Sequence, residues 1–287
     1  GWGWSVYGQS TVPIKAQSNV SNIAAGRFYL LALTDNGEVI GWGSNEYGQT
    51  TVPQSAKSNV VKITSGGFHS IALLNDGSVV CWGLNSYGQC NIPPEVVYNK
   101  SVDIAGGYDH TLALLEDGTI VAWGRNNKNQ LDVPHDQITS KIISIYSSKN
   151  NCFAVQENGN LIYWGSDEYD QLIPPASAQK NVVKVVTSGD HSIVLSEISR
   201  SKMEIPVSST GSVFGWGSND FDQILIPIEA ESGVVDISAG RYNSVALLES
   251  GKVIAWGSNN YNQSVVPFEC NENIVSISPI NDTLIDQ

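Results

Sequence analysis

Short apolar runs, rich in β-branched residues, alternate with polar turns along the whole chain. In one stretch they read Val60-Val61-Lys62-Ile63, then Ile71 to Leu74, then Val79 to Trp82. Runs this short, punctuated by Gly and Asp, predict strands rather than helices. Asp76-Gly77 separates two of them, a hairpin signal because the turn needs positive φ. Asp35-Asn36-Gly37, Asp117-Gly118 and Asn158-Gly159 repeat it. Pro53, Pro93, Pro134, Pro174, Pro227 and Pro267 fall in the longer connections, where no sheet donor is lost.

The pattern returns with a nearly fixed period. Trp-Gly occurs at Trp2, Trp42, Trp82, Trp123, Trp164, Trp216 and Trp256, in steps of 40, 40, 41, 41, 52 and 40 residues. Repeats of this size belong to propellers, solenoids or arrays. Each unit is a small sheet that must stack on its neighbours to bury its faces. The chain begins with the closing strand Gly1-Trp2-Gly3. It ends with Ile274-Val275-Ser276-Ile277 and Thr283-Leu284-Ile285, the opening strands of a unit lacking its Trp-Gly. Two half units make one whole and remove the exposed edges. The predicted fold is therefore all-β, one domain over residues 1–287. It is a seven-bladed β-propeller whose N- and C-terminal strands share a blade. The start at Gly1, inside a repeat, allows for a removed upstream segment.

Composition narrows the partners. Charged residues are 15% of the chain and apolar residues 41%, which suits a soluble protein with a core. The net charge of -13 disfavours nucleic acid and anionic lipid, and Arg200-Ser201-Lys202 is too small to be a basic patch. No apolar run approaches the ~20 residues of a membrane span, and no signal peptide is visible. Cys81, Cys90, Cys152 and Cys270 have neither CxxC nor zinc-finger spacing. They read as free thiols of a reducing compartment, although Cys81 and Cys90 could pair in a secreted protein. No metal and no cofactor is expected, and the predicted state is monomeric. The many Asn, Ser, Ile and Lys residues hint at an A/T-rich bacterial or viral genome, and so at an effector in a host cell.

No catalytic constellation emerges. His69-Ser70 and His191-Ser192 invite a nucleophile-base reading, but adjacent strand residues point to opposite faces. These side chains are expected to satisfy backbone groups at strand starts. Tyr47, Tyr87, Tyr169, Phe221 and Tyr261 recur at one position, which predicts packing between blades. Asn45, Asn85, Asn126, Asn219 and Asn259 read as turn formers.

Candidate binding residues are those that vary within the constant frame. A two-residue turn precedes each His/Tyr/Asn position: Arg27-Phe28, Gly67-Phe68, Tyr108-Asp109, Lys149-Asn150, Gly189-Asp190 and Arg241-Tyr242. In a closed ring these turns lie on one face around the central channel. Arg, Tyr and Phe are types enriched in binding hot spots. The expected partner-binding set is Arg27, Phe28, Phe68, Tyr108, Asp109, His110, Asp190, His191, Arg241 and Tyr242. The 52-residue step adds a segment at about 196–210. Ile198, Arg200, Lys202, Met203 and Glu204 there could form a protruding hairpin, or the segment is a tolerated surface insertion.

The string Trp-Gly-x-Asn-x-Tyr-Gly-Gln, then Val-Pro, then Gly-x-x-His-Ser-x-Ala-Leu-x-x-Asp-Gly, resembles the regulator of chromosome condensation repeat. Its short period is similar to the compact bacterial form. The resemblance implies binding of another protein through loops on a propeller face. Relatives include guanine nucleotide exchange factors for the small GTPase Ran, some of them bacterial effectors, and a secreted inhibitor of β-lactamases. The first implies a Ran-like GTPase as partner and a cytoplasmic location, with host cytosol after secretion as a variant. The second implies a β-lactamase-like enzyme as partner; a non-catalytic scaffold is the third alternative. In the exchange factors, acidic and His side chains at this turn contact the GTPase. Asp109-His110 and Asp190-His191 match that pattern, whereas Lys149-Asn150-Asn151 departs from it. The inserted segment is similar in kind to their β-wedge.

Overall fold

The computed structural model describes residues 5–168, 170, 172–197, 211–268, 274 and 277. Among these, eighteen strands form six antiparallel three-stranded blades, the last two joined into one sheet by the single pair Gly211 and Val234. Blade I is β1 (Val20–Ala25), β2 (Tyr29–Thr34) and β3 (Val39–Gly43). Blade II is β4 (Val60–Ser65), β5 (His69–Leu74) and β6 (Val79–Gly83). Blade III is β7 (Ser101–Gly106), β8 (His110–Leu115) and β9 (Ile120–Gly124). Blade IV is β10 (Ile142–Ser148), β11 (Asn151–Gln156) and β12 (Leu161–Gly165). Blade V is β13 (Val182–Thr187), β14 (His191–Glu197) and β15 (Gly211–Gly217). Blade VI is β16 (Val234–Ala239), β17 (Asn243–Leu248) and β18 (Val253–Gly257).

The expected hairpins form where Gly follows Asp or Asn. Gly77 has φ +88°, and its N–H donates to Leu74 O at 3.0 Å, closing the turn between β5 and β6. The expected prolines mostly open single helical turns between blades: Pro53 precedes Gln54–Ala56 and Pro227 precedes Ile228–Ala230. One connection widens into the short helix Pro94–Tyr98.

The core lies between blades, not within them. The middle strand is buried on both faces, so the central residues of its run are apolar without alternation. Ile71 and Leu73 of β5 pack forward on Ile104 and Ala113 of blade III. Ala72, between them, packs back on Leu31 and Leu33 of blade I. Trp82, Trp123, Trp164, Trp216 and Trp256 each seal the joint with the preceding blade.

The Trp-Gly string has a hydrogen-bond explanation. The indole N–H donates to the main-chain carbonyl of the Gln 33 or 34 residues earlier: Trp42 to Gln9, Trp82 to Gln49, Trp164 to Gln130 and Trp256 to Gln223, at 2.9–3.0 Å. The strand residue after the His position donates to the same carbonyl, as Ser70 does to Gln49 at 2.8 Å and Ser244 to Gln223 at 2.8 Å. The Gln side chain ties its own loop by accepting from the N–H two residues earlier, as Gln49 does from Tyr47 at 2.9 Å. Asn45 accepts from Thr50 N at 2.9 Å, the turn-forming role expected of it.

The cysteines require a correction. Cys81 and Cys90 form a disulfide that joins β6 to the loop after it, so the free-thiol expectation fails for this pair. Cys152 is a buried free thiol. No helix among the described residues is long and apolar enough to cross a membrane.

Candidate functional site: the turn face and central channel

The first strand of every described blade runs along one central channel of about 250 Å³. Each of these strands ends in one of the variable two-residue turns, so the turns ring the mouth of the channel. Main-chain hydrogen bonds link them: Arg27 N–H to Gly67 O at 3.0 Å, Gly67 N–H to Tyr108 O at 3.1 Å, and Tyr108 N–H to Lys149 O at 2.7 Å.

The first turn position faces the channel. Arg27, Gly67, Tyr108, Lys149 and Arg241 line it, together with Asp190 from a second position. Arg27 reaches across Gly67, which has no side chain to obstruct it, and its Nη1 donates to the Tyr108 hydroxyl. Its guanidinium also stands 5.1, 5.4 and 5.8 Å from the ring centres of Phe28, Phe68 and Tyr108. Asp190 is buried and accepts from Lys149 Nζ at 2.5 Å and Arg241 Nε at 3.3 Å. Gly189, with φ +95°, gives the Lys149 stem its room; a Cβ there would sit 2.3 Å from Lys149 Cβ.

The second turn position meets the loop aromatics. Tyr7 lies 5.2 Å from Phe28, Tyr47 5.2 Å from Phe68, and Phe221 4.8 Å from Tyr242, between ring centres. Phe68 and Tyr108 are 5.9 Å apart, edge to face. On blade III the second position is Asp109. There Arg125 pairs with Asp109 Oδ2 at 3.1 Å and stacks 4.6 Å from the Tyr87 ring. Burial pushes the Asp109 carboxyl up, and the Arg125 hydrogen bond and charge oppose that shift.

The loop aromatics meet the expected packing between blades only in part: Tyr7, Tyr47 and Phe221 each rest on a turn aromatic of the following blade but keep one side open, and Tyr169 lies outside the described residues. Tyr7, Tyr47, Tyr87, Phe221 and Tyr261 are 38–51% exposed. The regularity comes from the loop that presents them, whose geometry is set by the Gln and Asn side chains below.

Ten expected site residues thus separate into three groups. Arg27, Phe28, Phe68, Tyr108, Arg241 and Tyr242 come together, half-buried, on the face. Asp109 and Asp190 lie beneath it in ion pairs. His110 and His191 are fully buried and cannot reach a partner from this position. His110 Nε2 contacts Ser147 Oγ at 2.8 Å and Cys152 Sγ at 3.1 Å. His191 bonds Ser244 Oγ at 2.9 Å through Nε2 and Ser188 Oγ at 2.9 Å through Nδ1. His69 likewise meets Thr111 Oγ1 at 3.0 Å. The histidines thus clasp neighbouring blades, and the expected bonding to backbone groups holds as well: Ser70 Oγ donates to Gln49 O, and the His69 and His191 rings have backbone partners at His110 and Arg241. Desolvation lowers their pKa values, to about 4 for His69, about 3 for His110 and about 4 for His191. Ile198, Arg200, Lys202, Met203 and Glu204 lie outside the described residues.

Two contributors escaped sequence reasoning. Lys149 was visible as a turn residue but looked like a departure from the pattern; only the fold sets it against Asp190. Arg125 follows a Trp-Gly where the other internal repeats carry Ser or Leu, and that substitution was the available signal.

Four stretches, residues 20–49, 60–89, 102–130 and 234–263, match the Regulator of chromosome condensation (RCC1) repeat. The chain carries regulator of chromosome condensation repeats. No curated protein matches it in sequence. Among solved structures it is similar to Prp20p from Saccharomyces cerevisiae, at 20% identity and TM-score 0.71, covering 95% of this chain and 84% of that one. That structure was described together with the binding of Prp20p to Gsp1p and histones. Human WBSCR16 is similar at 22% identity and TM-score 0.64, covering 85% and 77%. The CRINKLY WD40 ectodomain of the Arabidopsis thaliana receptor kinase ACR4 follows at 16% identity and TM-score 0.63, covering 83% and 85%. At these identities the likeness establishes the propeller fold, and function has to be argued from the site.

Proposed function

We propose that this chain is a protein-binding propeller whose partner docks on the turn face. One observation carries the proposal. Exposed loop aromatics paired with half-buried turn aromatics form a platform, with guanidinium groups stacked on it, around the channel mouth. Such rigid, amphipathic side chains anchor protein interfaces. Phe68→Ala is the test of the face. It should weaken partner binding about 30-fold, as expected of a hot-spot aromatic. Normal affinity in the folded variant would move the interface elsewhere.

The finer proposal is exchange activity on a small GTPase of Ran type. The repeat family supports it, as does the fold shared with Prp20p. Such a protein holds the nucleotide-free GTPase more tightly than the loaded form and so speeds nucleotide release. Release of mant-GDP from Ran that stays unchanged at micromolar propeller would sink it.

The Cys81–Cys90 disulfide favours a second reading, a secreted inhibitor of a β-lactamase-like enzyme, because disulfides persist in oxidising compartments. Nitrocefin hydrolysis unaffected by excess propeller rejects it for the lactamase used. In either case we propose a ring of seven blades, the last shared between the chain ends. Ile274 and Ile277 support this by packing on Val245, Leu247 and Val253 of blade VI.

A further inference from the structure

One joint of the ring departs from the hydrogen-bond pattern of its sisters. The indole N–H groups of Trp42, Trp82, Trp164 and Trp256 each donate to the carbonyl of the Gln in the loop before their blade. Trp123 occupies the same position in blade III, yet its Nε1 is buried and meets no acceptor. The carbonyl it should meet is that of Gln89, which accepts from Thr111 Oγ1 at 2.9 Å, as Gln49 accepts from Ser70. Gln89 and Cys90 share a peptide bond, and Cys90 is the residue tied to Cys81. The unmade bond therefore lies directly beside the crosslink.

The crosslink is an addition to a loop that holds its shape without it. Gly41 with Thr50, Ala122 with Leu131 and Ala255 with Ser264 stand at the positions of Cys81 and Cys90 in other blades. A Cβ at Gly41 would lie 2.8 Å from Thr50 O, so the two positions touch whether or not sulfur is present. Asn85 accepts from Cys90 N at 2.9 Å and Gln89 Oε1 from Tyr87 N at 2.9 Å, the same bonds that Asn45 and Gln49 make in an uncrosslinked loop. Cys81 and Cys90 are both half-buried, which leaves the pair open to a small thiol.

We infer that Cys81 and Cys90 form a reversible redox switch of the joint between blades II and III. In the oxidised state the crosslink holds the Gln89–Cys90 peptide to β6, and Trp123 lacks its acceptor. In the reduced state the peptide is released, and Trp123 N–H donates to Gln89 O as its sisters do. The reductant is a small thiol of the glutathione class. Its thiolate attacks Cys90 Sγ, the S–S bond breaks, and Cys81 leaves as a thiolate that takes up a proton. A second small thiol attacks the sulfur of the first and frees Cys90. Two small thiols thus end as one disulfide, and both cysteines as thiols. A chain passing from an oxidising to a reducing compartment changes state by this route. The closed loop carries Tyr87, whose ring centre lies 4.6 Å from the Arg125 guanidinium, so the switch also sets how these two side chains are presented. The inference stands on the joint alone and does not depend on the docking proposal.

The experiment follows the indole N–H resonances of the full chain in glutathione buffers that range from fully oxidised to fully reduced. The signal missing from Trp123→Phe assigns the resonance. Reduction should move it downfield, towards those of Trp164 and Trp256, in step with the appearance of two free thiols. Its hydrogen exchange should slow about fivefold, the protection of one net hydrogen bond. Reoxidation should reverse both changes, and the resonances of Trp164 and Trp256 should stay where they are. Cys81→Ala, which places here the residue found at position 122, should show the reduced signature in every buffer. Circular dichroism should show every form folded. The inference is overturned by free thiols at Cys81 and Cys90 in protein purified without reductant, or by a disulfide that survives fully reduced glutathione. Unfolding on reduction, a Trp123 resonance identical in both states, or an oxidised signature in folded Cys81→Ala overturns it equally.

Discussion

The indole N–H of Trp82 donates to the main-chain carbonyl of Gln49 at 2.9 Å, joining the third strand of blade II to the loop that enters the blade. Ser70 Oγ donates to the same oxygen at 2.8 Å. The tryptophan is thus a hydrogen-bonding wedge, and its position is dictated by a carbonyl 33 residues away. Trp82→Phe keeps most of the packing and removes the donor. It should cost about 1–2 kcal/mol, measured by urea unfolding. A midpoint equal to wild type would show that the bond contributes nothing net.

Three histidines are buried between blades as neutral rings, and this makes stability depend on pH. Their folded pKa values, about 4, 3 and 4, lie below the ordinary 6.5. The unfolded chain therefore binds protons first as pH falls. The stabilisation is fully present above pH 6.5 and is lost on acidification from there towards pH 4, by up to about 1.4 kcal/mol per pH unit for each histidine. Urea midpoints measured from pH 7 to pH 4.5 should fall steeply, and His110→Asn should flatten the slope. A constant midpoint over that range would mean that the rings are not buried in the neutral form.

Gly189 occupies a backbone conformation that side chains avoid, directly against Lys149. Gly189→Ala should destabilise the chain by about 1–3 kcal/mol through strain at positive φ. It should also displace Lys149 from Asp190. Thermal unfolding reads the first effect, and the Lys149 side-chain resonance reads the second. An unchanged Tm would show that the turn accommodates a Cβ.

The disulfide predicts a specific peptide map. Proteolysis without reductant should yield one fragment linking Cys81 to Cys90. Reduction should lower stability by about 2–3 kcal/mol, as expected for a crosslink closing nine residues. Separate fragments from protein purified without reductant would return both residues to free thiols.

Much of the fold was legible because a propeller is written in repeats. The strand runs, the Asp-Gly hairpins and the Trp-Gly period each report a local requirement repeated at every blade. The site was legible only in part. Phe28, Phe68 and Tyr242 stood out because they broke a constant frame, and the structure gathers them. Asp109 and His110 stood out equally, yet they face inward. Strand residues one step apart point oppositely, and which of them meets the neighbouring blade depends on how the blades stack. Tyr47 and Tyr87 were half legible: each meets a side chain of the next blade, Phe68 and Arg125, but the constant position did not reveal that the other side stays exposed.

By itself the amino-acid sequence determined the blades. Period, turn chemistry and β-branched runs are local properties, and each is satisfied within some 40 residues. Only the tertiary structure decided the channel. Lys149, Asp190 and Arg241 come from three successive blades, and their charges meet only because ring geometry turns one end of every first strand towards a common axis.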